Sequence, residues 1–343
     1  MKNIYNICLV CVSLLFFGCS QKSSNAELTE FSGEENNGRK KVLFVNSYHA
    51  DFEWVEDITK GIVNTFNLSK LSDGTIDTAS GKVNFRIFYM DTKRNTGVSF
   101  AQESALKAKI IIETWKPDLV IASDDNASRY LVAPYYKNNN VPFVFCGVNW
   151  DASEYGFPTS NITGMVEVTM LPELVDILRS EAKGGKIAFI AADSYSERKN
   201  IEYYKKVFSL NLRTEFAISV EDFKNKFVKL NESVDMIILG NIEPLLGFEN
   251  RKVQEWISEN TMVPTGAMDL FLSQFVIVTC AKSGEEQGEW AASTALKILN
   301  GARPDEIPME QNKEVKVIIN RRIAPHLDLT FDNTVESDAL VIQ

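Results

Sequence analysis

The strongest constraint on this chain is a rhythm. Short runs of β-branched and aliphatic residues, apolar at nearly every position, alternate with longer stretches whose apolar residues recur every three or four places. Lys41-Val42-Leu43-Phe44-Val45-Asn46 is the first such run, and the stretch after it carries Val55, Ile58, Ile62 and Phe66 on one helical stripe. Strands are then expected over 83–90, 118–122 and 142–146, separated by helices over 99–115 and 126–136. A strand that is apolar on both faces must be covered on both faces. A parallel sheet with helices above and below it does this; a half-solvated antiparallel sheet does not.

The same rhythm restarts after an irregular stretch over 149–160. Strands are expected at 162–166, 186–191, 214–219, 236–240 and 263–268, with helices at 171–180, 197–208, 221–230 and 249–259. The fold class read from this is α/β, with two Rossmann-like, doubly wound lobes. A strand over 275–279, a helix over 284–299 closed by Asn300-Gly301, and a strand over 314–320 are then left over. They suggest a chain that returns to its first lobe and crosses several times, making a multi-crossover hinge. The expected boundaries place 40–159 and 275–305 in lobe one, and 160–274 and 306–343 in lobe two. No short repeat period is present, so a solenoid is not expected.

Before Lys40 the character changes. Met1-Lys2-Asn3 leads into an apolar run from Ile4 to Phe17, short for a bilayer span, and then into Gly18-Cys19-Ser20. These read as an export signal, and Leu15-Phe16-Phe17-Gly18-Cys19 resembles a bacterial lipoprotein processing site. The resemblance implies a signal peptide over 1–18, lipid such as palmitate on Cys19, and a chain anchored to the cell membrane, facing the periplasm or the exterior. An ordinary cleaved signal or an uncleaved anchor is the alternative. Residues 19–39 are polar and without period, and are expected to be a flexible tether. Cys8 and Cys11 fall in the leader, leaving Cys146 and Cys280 in the body, where two buried thiols are expected rather than a disulfide framework. A net charge of −10 with no recurring basic cluster argues against nucleic acid as a partner.

In open parallel sheets, ligands settle beyond the carboxyl ends of the strands, where loops and helix starts present free amides. Those ends carry Ser47, Tyr48 and His49, then Ser123, Asp124, Asp125 and Asn126, and Asn149 in the first lobe. In the second they carry Asp193, Tyr195, Asn241 and Asp269, and Trp54 opens the first helix. Hydroxyls and amides offer neutral hydrogen bonds, aromatic faces offer stacking, and carboxylates can receive an ammonium. Ser123, Asp124, Asp125 and Asp193 equally suit helix capping, and Trp54 suits either core packing or a lid. His49 with Asp51 is the one hint of an acid–base pair. The sequence has no metal-spaced histidines, no Gly-x-Ser-x-Gly elbow and no glycine-rich phosphate loop, so no enzyme, metal or cofactor is expected, and a hydrolase is the least favoured reading.

Several segments in order carry a resemblance. They are Asn46-Ser47-Tyr48-His49 with Phe52 and Trp54, Ile121-Ala122-Ser123-Asp124-Asp125-Asn126-Ala127, Val141-Pro142-Phe143-Val144-Phe145 and Asn161-Ile162-Thr163-Gly164. Gly284-Glu285-Glu286-Gln287-Gly288, Asn300-Gly301-Ala302-Arg303-Pro304 and Ile319-Asn320 follow. Together the chain resembles bacterial substrate-binding proteins of the ABC-transporter type, related to tryptophan and tyrosine receptors. The resemblance implies a type I periplasmic binding fold with three crossovers, and a small-molecule ligand held between the lobes for delivery to an ABC permease. The cleft residues favour an amino-acid-like solute. A sensory receptor read by a membrane kinase is the alternative, and a monomer suffices for either.

Overall fold

The computed structural model describes residues 38–78, 80–209 and 211–343. The leader, Cys19 and the tether up to residue 37 lie outside the described residues, as does the side chain of Tyr195. In chain order the strands are β1 (Lys41–Asn46), β2 (Asn84–Tyr89), β3 (Leu119–Ser123), β4 (Phe143–Asn149) and β5 (Ile162–Glu167). β6 (Ile187–Ala192), β7 (Leu212–Ala217), β8 (Met236–Leu239), β9 (Thr265–Ala267) and β10 (Val278–Lys282) follow, then β11 (Glu310–Gln311), β12 (Val315–Asn320) and β13 (Leu340–Ile342). They form two sheets, ordered β11-β5-β4-β3-β1-β2 and β13-β12-β10-β9-β8-β6-β7. Pairing is parallel throughout the first sheet. In the second, β10 and β12 are antiparallel and the other pairs are parallel.

The period-two geometry of β1 shows why its sequence is apolar throughout. Val42 and Phe44 join Phe66, Phe85 and the Gly284–Leu299 helix on one face, while Leu43 and Val45 join Phe88, Ile112 and Trp115 on the other. The second lobe has its own core, built around Phe189, Phe223, Phe227 and Phe275. Cys146 and Cys280 are buried free thiols, one in each lobe's sheet. Among the described residues no helix is long and apolar enough to cross a membrane.

Three of the expected lobe assignments are corrected by the pairing. β5, expected to open lobe two, pairs with β4 in the first sheet, where Gly164 leaves room for the Phe145 ring; a Cβ there would lie 2.3 Å from it. The late strand, expected over 275–279 in lobe one, begins at Val278 and lies between β9 and β12 in the second sheet. Residues Phe275 to Ile277 are buried but turned, with the Ile277 amide bonded to Thr265. The two-residue β11, expected among lobe-two residues, pairs with β5 in the first sheet.

The Gly284–Leu299 helix does return to lobe one, against the Glu53–Phe66 helix. Close approach of these helices depends on glycine: a Cβ on Gly61 would lie 2.2 Å from the Glu285 carbonyl oxygen, and one on Gly288 would lie 2.0 Å from that of Ile58.

The chain therefore passes between sheets three times: after β5, at Ser283, and between β11 and β12. The crossings are stitched together by side chains imitating backbone. The Asn312 amide accepts from the Val168 N–H at 2.7 Å and donates to the Val168 carbonyl at 3.1 Å. The Glu286 carboxylate accepts from the Lys313 and Glu314 amides at 2.8 and 2.9 Å.

Candidate ligand-binding cleft

The site grows from the end of β3. After fully buried Ser123 the backbone turns at Asp124 with φ +67°, a conformation costly for a residue with a Cβ. An irregularity in β4 makes room for the carboxyl: Gly147 has φ +68°, and a Cβ on it would lie 2.9 Å from Asp124 Oδ1. Asp124 is thus held inside the wall, 2% exposed, where the Trp54 indole N–H donates to Oδ1 at 2.9 Å and no hydrogen bond reaches Oδ2. Burial first, and then the negative charge of Glu167, push its pKa up to about 8. Around neutrality it holds a proton.

Glu167 and Lys282 end β5 and β10, the two strands that lead into crossovers, and they pair beneath the cleft. Burial raises the Glu167 pKa and Lys282 opposes it. Burial works to lower that of Lys282, but Glu167 and Asp269 outweigh it and keep the ammonium charged. The same ammonium lies 5.5 Å from the centre of the Trp54 ring, within cation–π range.

Around this floor the lobes enclose a cleft of about 390 Å³, a size suited to a small molecule. The first lobe contributes Tyr48, Phe52, Trp54, Lys93 and Asn149; the second contributes Met268, Asp269, Leu270 and Phe271. Tyr48 and Phe52 meet edge to face at 5.6 Å, and the Lys93 ammonium stands 5.2 and 4.9 Å from their rings. Burial, then Asp124 and Glu167, raise the Tyr48 pKa well above its ordinary value, so the hydroxyl stays neutral. Elsewhere between the lobes Trp150, with φ +64°, reaches from the first and stacks on Tyr203 of the second at 5.3 Å.

Of the residues expected at strand ends, the structure brings Tyr48, Trp54, Asp124, Asn149 and Asp269 to this cleft. Asp125 lies behind, bound by Tyr155 Oη at 2.7 Å and Asn149 Nδ2 at 2.6 Å. Ser47 works within the fold: its hydroxyl donates to the Ser123 carbonyl and accepts from the Ala127 amide. Asn126 donates to Thr92, and Ser123 is sealed in the wall. His49 sits between Asp51 and Asp91 at 3.8 and 3.7 Å, and His326 Nε2 meets the Thr261 carbonyl far from it.

Asp193 is gripped by Arg198 through two bonds of 2.6 and 2.8 Å, and Asn241 accepts from the Glu243 amide. The helix cap expected of Asp193 belongs to Ser194. Neither Ser123 nor Asp124 makes a side-chain cap to the helix starting there.

Glu167, Lys282, Phe52, Lys93 and Phe271 escaped the sequence reading. Glu167 and Lys282 did leave a trace, each being the lone charge at the carboxyl end of an otherwise uncharged strand. Chemically the cleft can desolvate a small solute against aromatic faces and offer an acceptor to a cationic nitrogen. Among the described residues no group of three or more His, Cys, Asp and Glu side chains could hold a metal ion.

Residues 87–341 match the family model described as ABC transporter substrate binding protein. The chain belongs to this family. Solved structures share the type I periplasmic binding fold of such substrate-binding proteins. One is an ABC domain from Streptococcus pneumonia in complex with L-Trp, 16% identical, TM-score 0.55, the match covering 89% of this chain and 100% of that one. Another is a ligand-free, open substrate-binding protein with adhesive properties from Clostridium difficile, 15% identical, TM-score 0.66, covering 89% and 99%. A third is an ABC transporter solute-binding protein from Bradyrhizobium with bound bis-tris, 12% identical, TM-score 0.51, covering 87% of each chain. No curated protein sequence matches this substrate-binding protein. At these identities the structural likeness speaks for the fold alone.

Proposed function

We propose that this substrate-binding protein captures a small solute carrying an amino group in the cleft between its lobes and delivers it to an ABC permease. In this reading lipid on Cys19 keeps it at the membrane. The observation that carries the ligand class is the carboxyl of Asp124, buried with Oδ2 unbonded at the edge of an aromatic-walled cleft. An incoming ammonium supplies the missing donor and turns a costly buried acid into half of an ion pair. Trp54, Phe52 and Tyr48 supply faces for the rest of the molecule. Capture by closure is consistent with a hinge of three short crossings.

The test is a thermal-shift screen of the full-length protein in detergent against amino acids, amines, sugars and nucleosides. A ligand of the folded state at a hundredfold excess over its Kd stabilises by about 2.7 kcal/mol. Amine-bearing solutes are expected to raise the melting temperature, and Asp124→Asn to abolish the shift. Stabilisation by sugars or nucleosides alone, unaffected by Asp124→Asn, would overturn the proposal.

A further inference from the structure

Acidic groups outnumber basic ones along the cleft. Glu53, Asp57, Asp124, Glu167 and Asp269 face Lys93 and Lys282. Glu167 is paired with Lys282, and Asp57 with Lys316. Three acidic groups then remain, Glu53, Asp124 and Asp269, with Lys93 at the mouth above Tyr48 and Phe52. Asp124 and Asp269 belong to opposite lobes. Asp124 is buried with an unbonded oxygen, and Asp269 does not cap the short turn Leu270–Leu272 that follows it. Behind Asp269 lies Glu197, only 8% exposed, adding a further acidic group on that side.

We propose that the ligand is a dication, a small alkyl or arylalkyl diamine with one nitrogen on Asp124 and the other on Asp269. This rests on the amine-capture reading above and specifies its ligand. The carbon skeleton lies against Trp54, Phe52 and Phe271, which bury methylenes or a ring while their faces favour cationic ends. A zwitterion is disfavoured, because its carboxylate would have the carboxyl groups of Asp124 and Asp269 as neighbours, while Lys282 is already engaged by Glu167. Two cationic ends also draw the lobes together, since each anchor stands on a different lobe. As the first nitrogen arrives, the Asp124 proton passes to the buffer and the ammonium takes its place.

Titration calorimetry on the full-length protein in detergent tests this with 1,4-diaminobutane, 1,4-bis(aminomethyl)benzene, butylamine and L-tryptophan. At least one diamine is expected to bind about tenfold or more tightly than butylamine, and both amines more tightly than L-tryptophan. Asp269→Asn should bring the diamine-to-butylamine affinity ratio close to one. Asp124→Asn should weaken both amines by about tenfold or more. Melting temperatures of the unliganded variants verify that each is folded. Tighter binding of L-tryptophan than of either diamine, or an undiminished ratio in Asp269→Asn, overturns the dication while leaving amine capture standing. Absence of binding by all four probes, together with no amine shifting the melting temperature in the wider screen, overturns both.

Discussion

Replacing Asp124 with asparagine is expected to make the unliganded protein more stable in alkaline solution while weakening the amine binding proposed above. The pKa of Asp124 is raised from the ordinary 3.8 to about 8, chiefly by burial and then by Glu167. Folding therefore takes up a proton at this group between those two values. The associated stability is complete below the unfolded pKa and is lost as pH rises through about 8. The whole span corresponds to at most about 6 kcal/mol, and the part falling between about pH 6 and pH 9 to about 3 kcal/mol.

Asparagine is a neutral isostere whose Oδ1 can keep the Trp54 bond, so wild type and variant should lie within about 1 kcal/mol of each other only near about pH 3, where the acid is protonated both folded and unfolded. The variant should already lead by about 3 kcal/mol near about pH 6. Near about pH 9 its lead should reach about 6 kcal/mol, the further gain of about 3 kcal/mol amounting to about 6 °C in melting temperature for a protein of this size. Urea denaturation of both proteins across this range reads the difference directly, with groups common to both cancelling. A constant offset between the two curves would refute the idea that Asp124 is kept neutral by its surroundings.

Gly288→Ala should cost more than about 3 kcal/mol in urea denaturation, because its Cβ would meet the Ile58 carbonyl oxygen at 2.0 Å. Gly185→Ala, with nothing within 4 Å of the added carbon, is the contrasting control and should stay within about 1 kcal/mol. Asn312→Ala unbonds both backbone groups of Val168 and should cost about 2 kcal/mol, with faster hydrogen exchange at the Val168 amide. Lys282→Met leaves Glu167 buried without its cation and should cost about 3–5 kcal/mol near neutrality. Adding Glu167→Gln should recover much of that loss, which denaturation of the double variant measures.

The strands of both lobes were legible because a strand covered on both faces must be apolar at every position, as β3 and β6 are. Lobe membership was harder to read. β5 and β10 are short apolar runs that would suit either sheet, and nothing local in them says which neighbour they will pair with. Partner choice is a long-range matter, decided by the space under Phe145 and by the glycine contacts between the Glu53–Phe66 and Gly284–Leu299 helices. The rule that ligands meet strand ends found Tyr48, Asp124, Asn149 and Asp269, but it also gathered Ser47, Asn126 and Asp193, whose side chains bind other parts of the protein. Polar residues at strand ends cap, brace and recognise with the same atoms, so type and position alone do not separate these roles.

Sequence alone, then, determined the doubly wound architecture and the rim from which a cleft would be built, since both follow from periodicity and strand direction. Tertiary structure decided which rim residues face each other and in what state. Asp124 is an acid like any other in the sequence. It becomes a buried, proton-holding group only where Gly147, Trp54 and Glu167, distant along the chain, exclude water from it and bring a second negative charge near. Burial and charge proximity belong to the assembled molecule, and they turn an aspartate at the start of a helix into a buried, protonated acid at the edge of the cleft.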